Sequence, residues 1–378
     1  MTPGSPSASP SWASRPSPKA SSSSRRPPTR SHSVLEMNQS DNPFSFSVVT
    51  GSTVDRVLRQ DLARVVSVVE QAYLAHDDEQ SVNPPSLFLR FPDNPDARII
   101  ALLADLRAGF GVSGMKWIAS YPSNIEQGIP RASAVLVLNR RDTGYPFAVM
   151  EASIISAART AASAALGAEK LGRPDKKAAS IGFVGCGLIA RYILDMMMAA
   201  GWSFGGLSAF DLRSDSSSAF LEHAGSVHRL STRRAESAEA LLRGNDLVVL
   251  TTTAGQPYLH DVSLLAHRPL VLNISLRDLS PEIILASNNV VDDVDHCLKA
   301  NTSPHLAEQK TGRRDFINGT IAGVIRNRAV LDPKKPTVYS PFGMGILDIA
   351  LGKYVYDKAQ AAGELLVIDD FFHERKRW

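Results

Sequence analysis

A short glycine motif is the first pattern in this chain that points to chemistry. Residues 185–190 read Gly-Cys-Gly-Leu-Ile-Ala, between the apolar run IGFV and a predicted helix. Glycines let a backbone approach a pyrophosphate, which the free N–H groups at a helix N-terminus bind. Asp211 ends the next predicted strand, where a carboxylate accepts hydrogen bonds from ribose hydroxyls and repels the 2′-phosphate of NADP. We therefore predict an NAD site. Arg213 lies close enough to pair with that phosphate, so NADP stays the alternative.

The predicted cofactor contacts extend to the ends of neighbouring strands. Thr251, Thr252 and Thr253 close the run DLVVLTTT at the edge of the sheet where ligands of such folds bind, although simple capping of the strand end explains them equally well. The predicted dinucleotide contacts are Gly185, Gly187, Leu188, Ile189, Asp211, Leu212, Arg213, Thr251, Thr252, Thr253 and Gly343.

Three cationic residues before this motif lie near predicted strand ends or within a predicted helix, and their charge suits an acidic ligand. Arg90 lies in FLRF, Lys116 in GMKW and Arg159 in an Ala-rich predicted helix. A guanidinium binds carboxylate through two bonds, while an ammonium is a point charge that also moves protons. Arg90 and Lys116, taken singly, also fit solvated surface charges. Arg159 is flanked by alanines, which indicates that its surroundings are packed. A buried Arg requires a partner.

The elements that position these residues divide the chain into two predicted domains. From Phe44, a strand (FSVVTG), a helix (VDRVLRQDLARVVSVVEQAYLAHD), several alternating strands and a helix at about 154–171 indicate an α+β domain. After GRPDKK, strands alternate with helices, which predicts a doubly wound parallel sheet of Rossmann type. The final helix follows that sheet and is predicted to return to the first domain. The predicted division is 37–168 with 331–378 for substrate binding and dimerisation, and 169–330 for NAD.

Composition excludes several other classes. Residues 1–36 are rich in Ser, Pro and Arg and are predicted to be disordered; an over-long gene model is the favoured explanation. The net charge of +3 argues for neither nucleic acid nor membrane binding, and no apolar run is long enough to cross a bilayer. Cys186 and Cys297 lack zinc-site spacing, and no histidine spacing forms a ligand pair, so we predict no metal. A cytoplasmic location is expected.

Several ordered blocks give the chain a family resemblance from about Phe44 to its end. GMKWIASYPSN, RRDTGYPFAVMEASIISAARTAASAA, IGFVGCGLIAR and FGMGILDIALGKYVYDKA resemble the ornithine cyclodeaminase/mu-crystallin family. Within it, SGMKWIASYPSNIEQGIPRASAVLVLN and ISLRDLSPEI resemble the branch that makes 2,3-diaminopropionate for siderophores and peptide antibiotics by oxidising N-(2-amino-2-carboxyethyl)-L-glutamate.

This resemblance implies roles for individual residues. Lys116, Arg159 and Arg90 would hold substrate carboxylate, and Asp278 would be the acid/base, with Lys116 as the other candidate base. Cyclodeaminases usually carry a Gly-Asp-x-x-Pro-Gly-Lys segment there, whereas this chain reads Leu-Arg-Asp-Leu-Ser-Pro-Glu at 276–282. That departure argues against ornithine cyclisation. Arg277 would suit a substrate with additional carboxylates, or it is a surface residue.

The expected reaction is an NAD-dependent oxidation of a CH–NH bond. Hydride leaves the glutamate-derived α-carbon, water adds to the imine, and 2-oxoglutarate separates from 2,3-diaminopropionate; one base can serve both proton transfers. Three alternatives remain: an ornithine cyclodeaminase, an imine or opine-type reductase, and a non-catalytic mu-crystallin-like binding protein. The resemblance and the alternating run 133–149 also predict a homodimer.

Overall fold

A computed structural model describes residues 44–373 of the chain, and the predicted disordered extension at 1–36 lies outside that range. Two eight-stranded sheets and the helices packed on them make up the fold. The predicted start of the fold near Pro43 falls just outside the described residues, and the first strand begins at Phe46. The division into two domains stays a prediction.

The first sheet is largely an antiparallel meander, in the order β18-β1-β7-β6-β5-β4-β2, with β3 also paired to β4. Only β1 and β7 run parallel. Its strands are β1 (Phe46–Val49), β2 (Ser81–Val82), β3 (Leu87–Phe91), β4 (Asn94–Leu106), β5 (Val112–Ser120), β6 (Ala132–Arg140), β7 (Pro146–Glu151) and β18 (Leu366–Ile368).

The second sheet is parallel throughout, in the order β12-β11-β9-β13-β14-β17-β15-β16. Its central strands are continuous apolar runs, as expected for a sheet covered on both faces. The predicted Rossmann sheet is therefore confirmed. Its strands are β9 (Ile181–Val184), β11 (Leu207–Phe210), β12 (Thr232–Arg234), β13 (Leu247–Leu250), β14 (Leu270–Asn273), β15 (Asn288–Val291), β16 (Ile317–Thr320) and β17 (Thr337–Ser340), and the separate pair is β8 (Lys177–Ala178) with β10 (Ser203–Phe204).

The helices connect and cover these sheets. They are α1 (Gly51–Gln60), α2 (Leu62–Asp77), α3 (Ser153–Leu171), α4 (Leu188–Ala199), α5 (Ser214–His228), α6 (Ala238–Arg243), α7 (Pro281–Leu285), α8 (Val294–Cys297), α9 (Ser303–Thr311), α10 (Ile321–Ile325) and α11 (Gly345–Ala361), with 3-10 turns at Pro122–Gln127 and Val262–Leu265. Within the described part of the chain, none of them combines the length and apolar character needed to cross a bilayer.

Two alanine- and glycine-containing helices form the centre of the molecule. Helix α3 packs on α2 and α4 and reaches β14 of the second sheet. Helix α11 packs on α2, β4 and β5. Side chains at Gly167 and Gly352 would overlap Tyr339 and Leu136, so both helices need small residues to approach their neighbours. These two helices carry residues of the candidate site described below.

The structure departs from the sequence analysis at two elements. The first predicted helix is divided at Asp61, which has a non-helical backbone and accepts a hydrogen bond from the Arg64 N–H as the N-cap of α2. The sequence analysis also missed β17, a strand that follows the predicted boundary at 331. Strand β17 lies between β14 and β15 in the second sheet, so that sheet is not complete before the terminal segment begins.

Candidate functional site

The glycine turn has the geometry of a dinucleotide cradle. Gly185 follows β9 with φ +86°, and a Cβ there would lie 2.7 Å from the backbone of Thr251. Gly187 is the N-cap residue of α4; no side chain caps that helix, and a Cβ at Gly187 would meet nothing within 4 Å. The backbone N–H groups at the start of α4 are thus left open to a phosphate.

Asp211 is held at the end of β11 by two backbone donors. The Cys186 N–H donates to Oδ2 at 2.7 Å and the Arg213 N–H to Oδ1 at 2.8 Å. Each oxygen keeps acceptor capacity for a ribose hydroxyl. The guanidinium of Arg213 pairs instead with Asp215 at 2.6 Å. Burial and the charge of Asp211 raise the pKa of Cys186 to about 12, so its thiol stays protonated and unreactive. The turn and this carboxylate together fit an adenine dinucleotide.

The other predicted cofactor residues differ in their surroundings. The side chains of Leu188, which follows the glycine turn, and Leu212, which follows Asp211, are 62% and 95% exposed. Ile189 packs against the core. The Thr251 hydroxyl donates to the Gly185 carbonyl at 2.6 Å, which ties β13 to the turn. Thr252 has a different partner, because its hydroxyl donates to Asp278; for Thr253 the structure adds nothing to the prediction.

Asp278 is fully buried and accepts hydrogen bonds from three hydroxyl groups. Thr252 donates to Oδ1 at 2.6 Å, Tyr258 donates to Oδ1 at 2.9 Å, and Ser275 donates to Oδ2. Burial and the charge of Asp278 raise the pKa of Tyr258, so the phenol remains a donor. The three donors fix the orientation of the carboxylate, as a proton-transfer residue requires.

The loop that carries Asp278 is held by its backbone. The N–H groups of Tyr258 and Leu259 donate to the Asp278 carbonyl at 3.2 and 3.1 Å, and the Ser280 N–H donates to Leu259 at 2.9 Å. Leu276 has φ +74°, a strained value for a leucine. The surrounding bonds maintain this backbone conformation and set the direction of Asp278.

A buried ion pair joins the first sheet to the terminal helix. Lys116 on β5 is 1% exposed; its Nζ donates to Asp348 Oδ1 at 2.8 Å and to Ser156 Oγ at 3.0 Å. Burial lowers the pKa of Lys116 to about 8; Asp348 opposes that shift and the charge of Arg159 adds to it. Its titration therefore lies closer to neutral pH than that of an ordinary lysine.

Arg159 shares the same carboxylate. Its Nε lies 3.4 Å from Asp348 Oδ1, without hydrogen-bonding geometry, and both this Nε and Asp348 Oδ2 are buried without a hydrogen-bond partner. The Arg159 guanidinium packs on Gly343, where any side chain would overlap it. Two cations facing one anion leave a net positive charge, which a ligand carboxylate would neutralise.

Gly343 belongs structurally with Arg159. It has φ +94°; its N–H donates to Asp292 Oδ2 at 2.6 Å, and its carbonyl lies 3.2 Å from His296 Nε2. Burial raises the pKa of Asp292 and lowers that of His296. These bonds hold the glycine against the guanidinium, and the predicted cofactor contact of Gly343 stays a prediction.

The remaining predicted cations form a separate group. Arg90 on β3 pairs in register with Arg98 on β4. Arg277 donates to the Ala300 carbonyl at 2.6 Å, and its pKa is lowered by burial and then by the charges of Arg98 and Arg90. The structure thus brings Arg90 and Arg277 together around Arg98, a residue that the sequence analysis missed.

Sequence reasoning also missed partners whose roles depend on tertiary contacts. The available signal for Asp348 was a single acid within the apolar helix GILDIALG. Ser156, Tyr258 and Ser275 gave no comparable signal.

Elsewhere, His223 and His228 lie 2.7 and 2.6 Å from one Asp195 oxygen, and these three residues form a group that could hold a metal ion. Mutual hydrogen bonding accounts for it equally well, and the absence of a metal stays a prediction.

A parallel sheet, an open glycine turn and an acid after the second strand define a dinucleotide-binding protein with a Rossmann-type fold. Residues 50–363 match the ornithine cyclodeaminase/mu-crystallin family, and the chain belongs to that family. The predicted resemblance is confirmed.

Two relatives of this chain are named for different activities. The chain is 29% identical to the N-((2S)-2-amino-2-carboxyethyl)-L-glutamate dehydrogenase of Staphylococcus aureus, over 78% of this chain and 90% of that protein. It is 28% identical to the alanine dehydrogenase of Archaeoglobus fulgidus, over 82% and 94%. Both are amino-acid dehydrogenases by name.

Solved structures show the same fold. An archaeal alanine dehydrogenase dimer with bound NAD is 25% identical, with a TM-score of 0.77 over 86% of this chain and all (100%) of that one. The Delta(1)-pyrroline-2-carboxylate reductase of Thermococcus litoralis, in complex with NADH and L-proline, is 21% identical, with a TM-score of 0.76 over 84% and 98%. The predicted cofactor, NAD, agrees with both structures.

Proposed function

We propose that this protein uses NAD to oxidise N-(2-amino-2-carboxyethyl)-L-glutamate and releases 2,3-diaminopropionate and 2-oxoglutarate. The observation that carries the proposal is the excess of positive charge. Lys116 and Arg159 share one carboxylate, and Arg90, Arg98 and Arg277 form a second cationic group. The proposed substrate has three carboxylates, and the Staphylococcus aureus relative is named for it.

The geometry of the glycine turn supports the cofactor contacts proposed here. The N–H groups at the start of α4, beyond Gly187, would hold the pyrophosphate, and Asp211 would hold the ribose. NAD, when bound, accepts a hydride from the substrate. Arg213 is engaged by Asp215, which supports NAD over NADP because this guanidinium already has an anionic partner.

Substrate binding and proton transfer fall to different residues. Arg159 and Lys116 bind the α-carboxylate, with Asp348 keeping both side chains in place. Asp278 takes the proton of the secondary amine as the α-carbon loses hydride, which leaves an imine. It returns that proton to the imine nitrogen as water attacks, takes a proton from that water, and passes it to the departing amine while the hydroxyl proton of the carbinolamine is released to solvent. The C–N bond of the carbinolamine breaks, giving 2-oxoglutarate and 2,3-diaminopropionate.

The experiment is a product assay with purified protein. The proposed substrate and NAD should yield NADH, 2-oxoglutarate and 2,3-diaminopropionate in equal amounts. With L-ornithine as substrate, an ornithine cyclodeaminase would give proline without net NADH. An imine reductase supplied with an imine would consume NADH, and a binding protein would do neither.

A second candidate is oxidative deamination of a simple amino acid. It is favoured by the near-equal similarity to the Archaeoglobus fulgidus alanine dehydrogenase, at 28% identity. L-alanine with NAD would then give pyruvate, ammonia and NADH. A larger kcat/KM for L-alanine than for the tricarboxylate would select this candidate.

We also propose that two copies pair through the outer face of the first sheet. Leu87, Trp117 and Val135 occupy one cross-strand row and are exposed, as are Leu89 and Leu103 on the same strands. A contiguous apolar face of this kind marks an interface, and the archaeal neighbour is a dimer. Light scattering should give a dimer at micromolar concentration.

A charge placed in that row tests the interface. Trp117→Lys should give a monomer, whereas Val330→Lys, on an exposed loop residue, should leave the dimer intact. A wild-type monomer, or a Trp117→Lys dimer, would contradict the proposal. The cytoplasmic location stays a prediction.

A further inference from the structure

A row of polar side chains crosses one end of the first sheet. Arg90 on β3 lies directly opposite Arg98 on β4, and Arg98 lies directly opposite Ser120 on β5. Opposite residues of an antiparallel pair share a face. Alternation along β5 places Ser120 on the face that also carries Lys116, four residues earlier. The row therefore faces the same side of the sheet as the Lys116–Arg159 pair.

The positive charge of this row has no anionic partner among the residues that the structure describes. Like charges directly opposite each other destabilise a sheet. None of the ion pairs among residues 44–373 involves Arg90, Arg98 or Arg277, and the guanidinium of Arg277 donates only to the Ala300 carbonyl. The charge of Arg98 also contributes, after burial, to lowering the pKa values of Arg131 and Arg277. The guanidinium of Arg90 lies over the Phe88 ring, 5.3 Å from its centroid, and an anion bound at the row would offset the repulsion between the arginines.

Ser120 provides an independent sign of a ligand. It is 7% exposed, and its hydroxyl has no hydrogen-bond partner. A buried hydroxyl left unsatisfied costs about 1–3 kcal/mol, so such groups usually have a partner. A carboxylate that reached Arg98 would also find this hydroxyl as a donor.

We propose that Arg98, Arg277 and Ser120, with Arg90 beside them, form a subsite for the distal carboxylates of a substrate whose α-carboxylate is held by Lys116 and Arg159. The Cα positions of residues 116 and 120 are about 13 Å apart along a strand. The long lysine and arginine side chains can bring their cationic groups closer together than these Cα atoms. A ligand with acids at both ends can engage both groups. The subsite rests on the proposed function only for the identity of this substrate.

Two 2-oxo acids provide a matched pair of probes. Pyruvate and 2-oxoglutarate differ by one CH2–carboxylate extension, so their dissociation constants, measured by calorimetry with NADH present, report on the distal acid. The wild type should bind 2-oxoglutarate more tightly. Arg98→Met should weaken 2-oxoglutarate by roughly 10- to 100-fold, the range of a charged hydrogen bond, and pyruvate by less than about twofold. Arg173→Met, which removes an exposed ion pair with Asp175, should change neither.

A second variant covers the case in which Arg98→Met does not fold. Ser120→Ala keeps all charges and removes only the unsatisfied hydroxyl, so its melting temperature should not fall. Its affinity for 2-oxoglutarate should drop by about 2- to 12-fold, with pyruvate unchanged. Equal wild-type affinity for both acids, or equal weakening of both in these variants, overturns the subsite. If the predicted selectivity holds but N-(2-amino-2-carboxyethyl)-L-glutamate is not oxidised, the subsite stands and the proposed reaction fails.

Discussion

Replacing Asp278 by Asn tests the assignment of the proton-transfer residue. Asn keeps an oxygen that can accept from Thr252 and Tyr258, while its amide N–H can donate to Ser275, whose hydroxyl also accepts. The hydrogen-bond network can therefore survive, and the melting temperature should change little. What disappears is the proton acceptor, which typically contributes about a hundredfold to ten-thousandfold in rate.

The expected result is a fall in kcat of about 100- to 10,000-fold, with the affinity for NADH nearly unchanged. Steady-state kinetics and NADH fluorescence titration measure the two quantities. Ser275→Ala is the matched control, because it removes one donor and keeps the base, so its loss should be much smaller. Near-normal turnover in Asp278→Asn, together with none in Lys116→Met, would assign the base to Lys116. Normal turnover in both variants would refute the catalytic site.

Three further predictions concern binding. Arg159→Lys should chiefly raise KM for the amino acid, by about tenfold or more, because an ammonium cannot form the bidentate contact; a fall in kcat alone would contradict this. The pKa of Lys116, lowered to about 8 by burial, makes it cationic below that pH and neutral above it. KM measured across pH 6–10 should therefore rise above about pH 8 while kcat stays level, whereas kcat rising through pH 8 would indicate that Lys116 is the base. Asp211→Asn keeps an acceptor for the Cys186 N–H but removes the negative charge, so the ratio of kcat/KM for NAD over NADP should fall by about tenfold or more. An unchanged ratio would place cofactor selection elsewhere.

The parts of this fold that the sequence predicts are those with local signals. Short local patterns are enough to recognise the glycine turn, Asp211 and the alternation of strands and helices. Helix α3 occupies Ser153–Leu171, close to its predicted range of about 154–171. Strand β17 is four residues long (Thr337–Ser340), follows a stretch rich in Pro and Lys, and is recognised only by its place in the sheet.

For the candidate site, the sequence identified cationic residues but not the residues that they contact. Lys116 and Asp348 are separated by most of the chain, and their ion pair exists because α11 packs on β5. Arg98 becomes significant only through the register that sets it opposite Arg90 and Ser120. Register and helix packing are tertiary properties, which a single sequence does not state.

The central claim is that this chain is an NAD-dependent dehydrogenase for an amino acid with several carboxylates. Its most direct test follows NADH absorbance and products together after purified protein, NAD and N-(2-amino-2-carboxyethyl)-L-glutamate are mixed, with L-alanine and L-ornithine as parallel substrates. We predict equal amounts of NADH, 2-oxoglutarate and 2,3-diaminopropionate, and a kcat/KM that exceeds those of the two monocarboxylates. No NADH from the tricarboxylate, with turnover of L-alanine or L-ornithine instead, would contradict the claim.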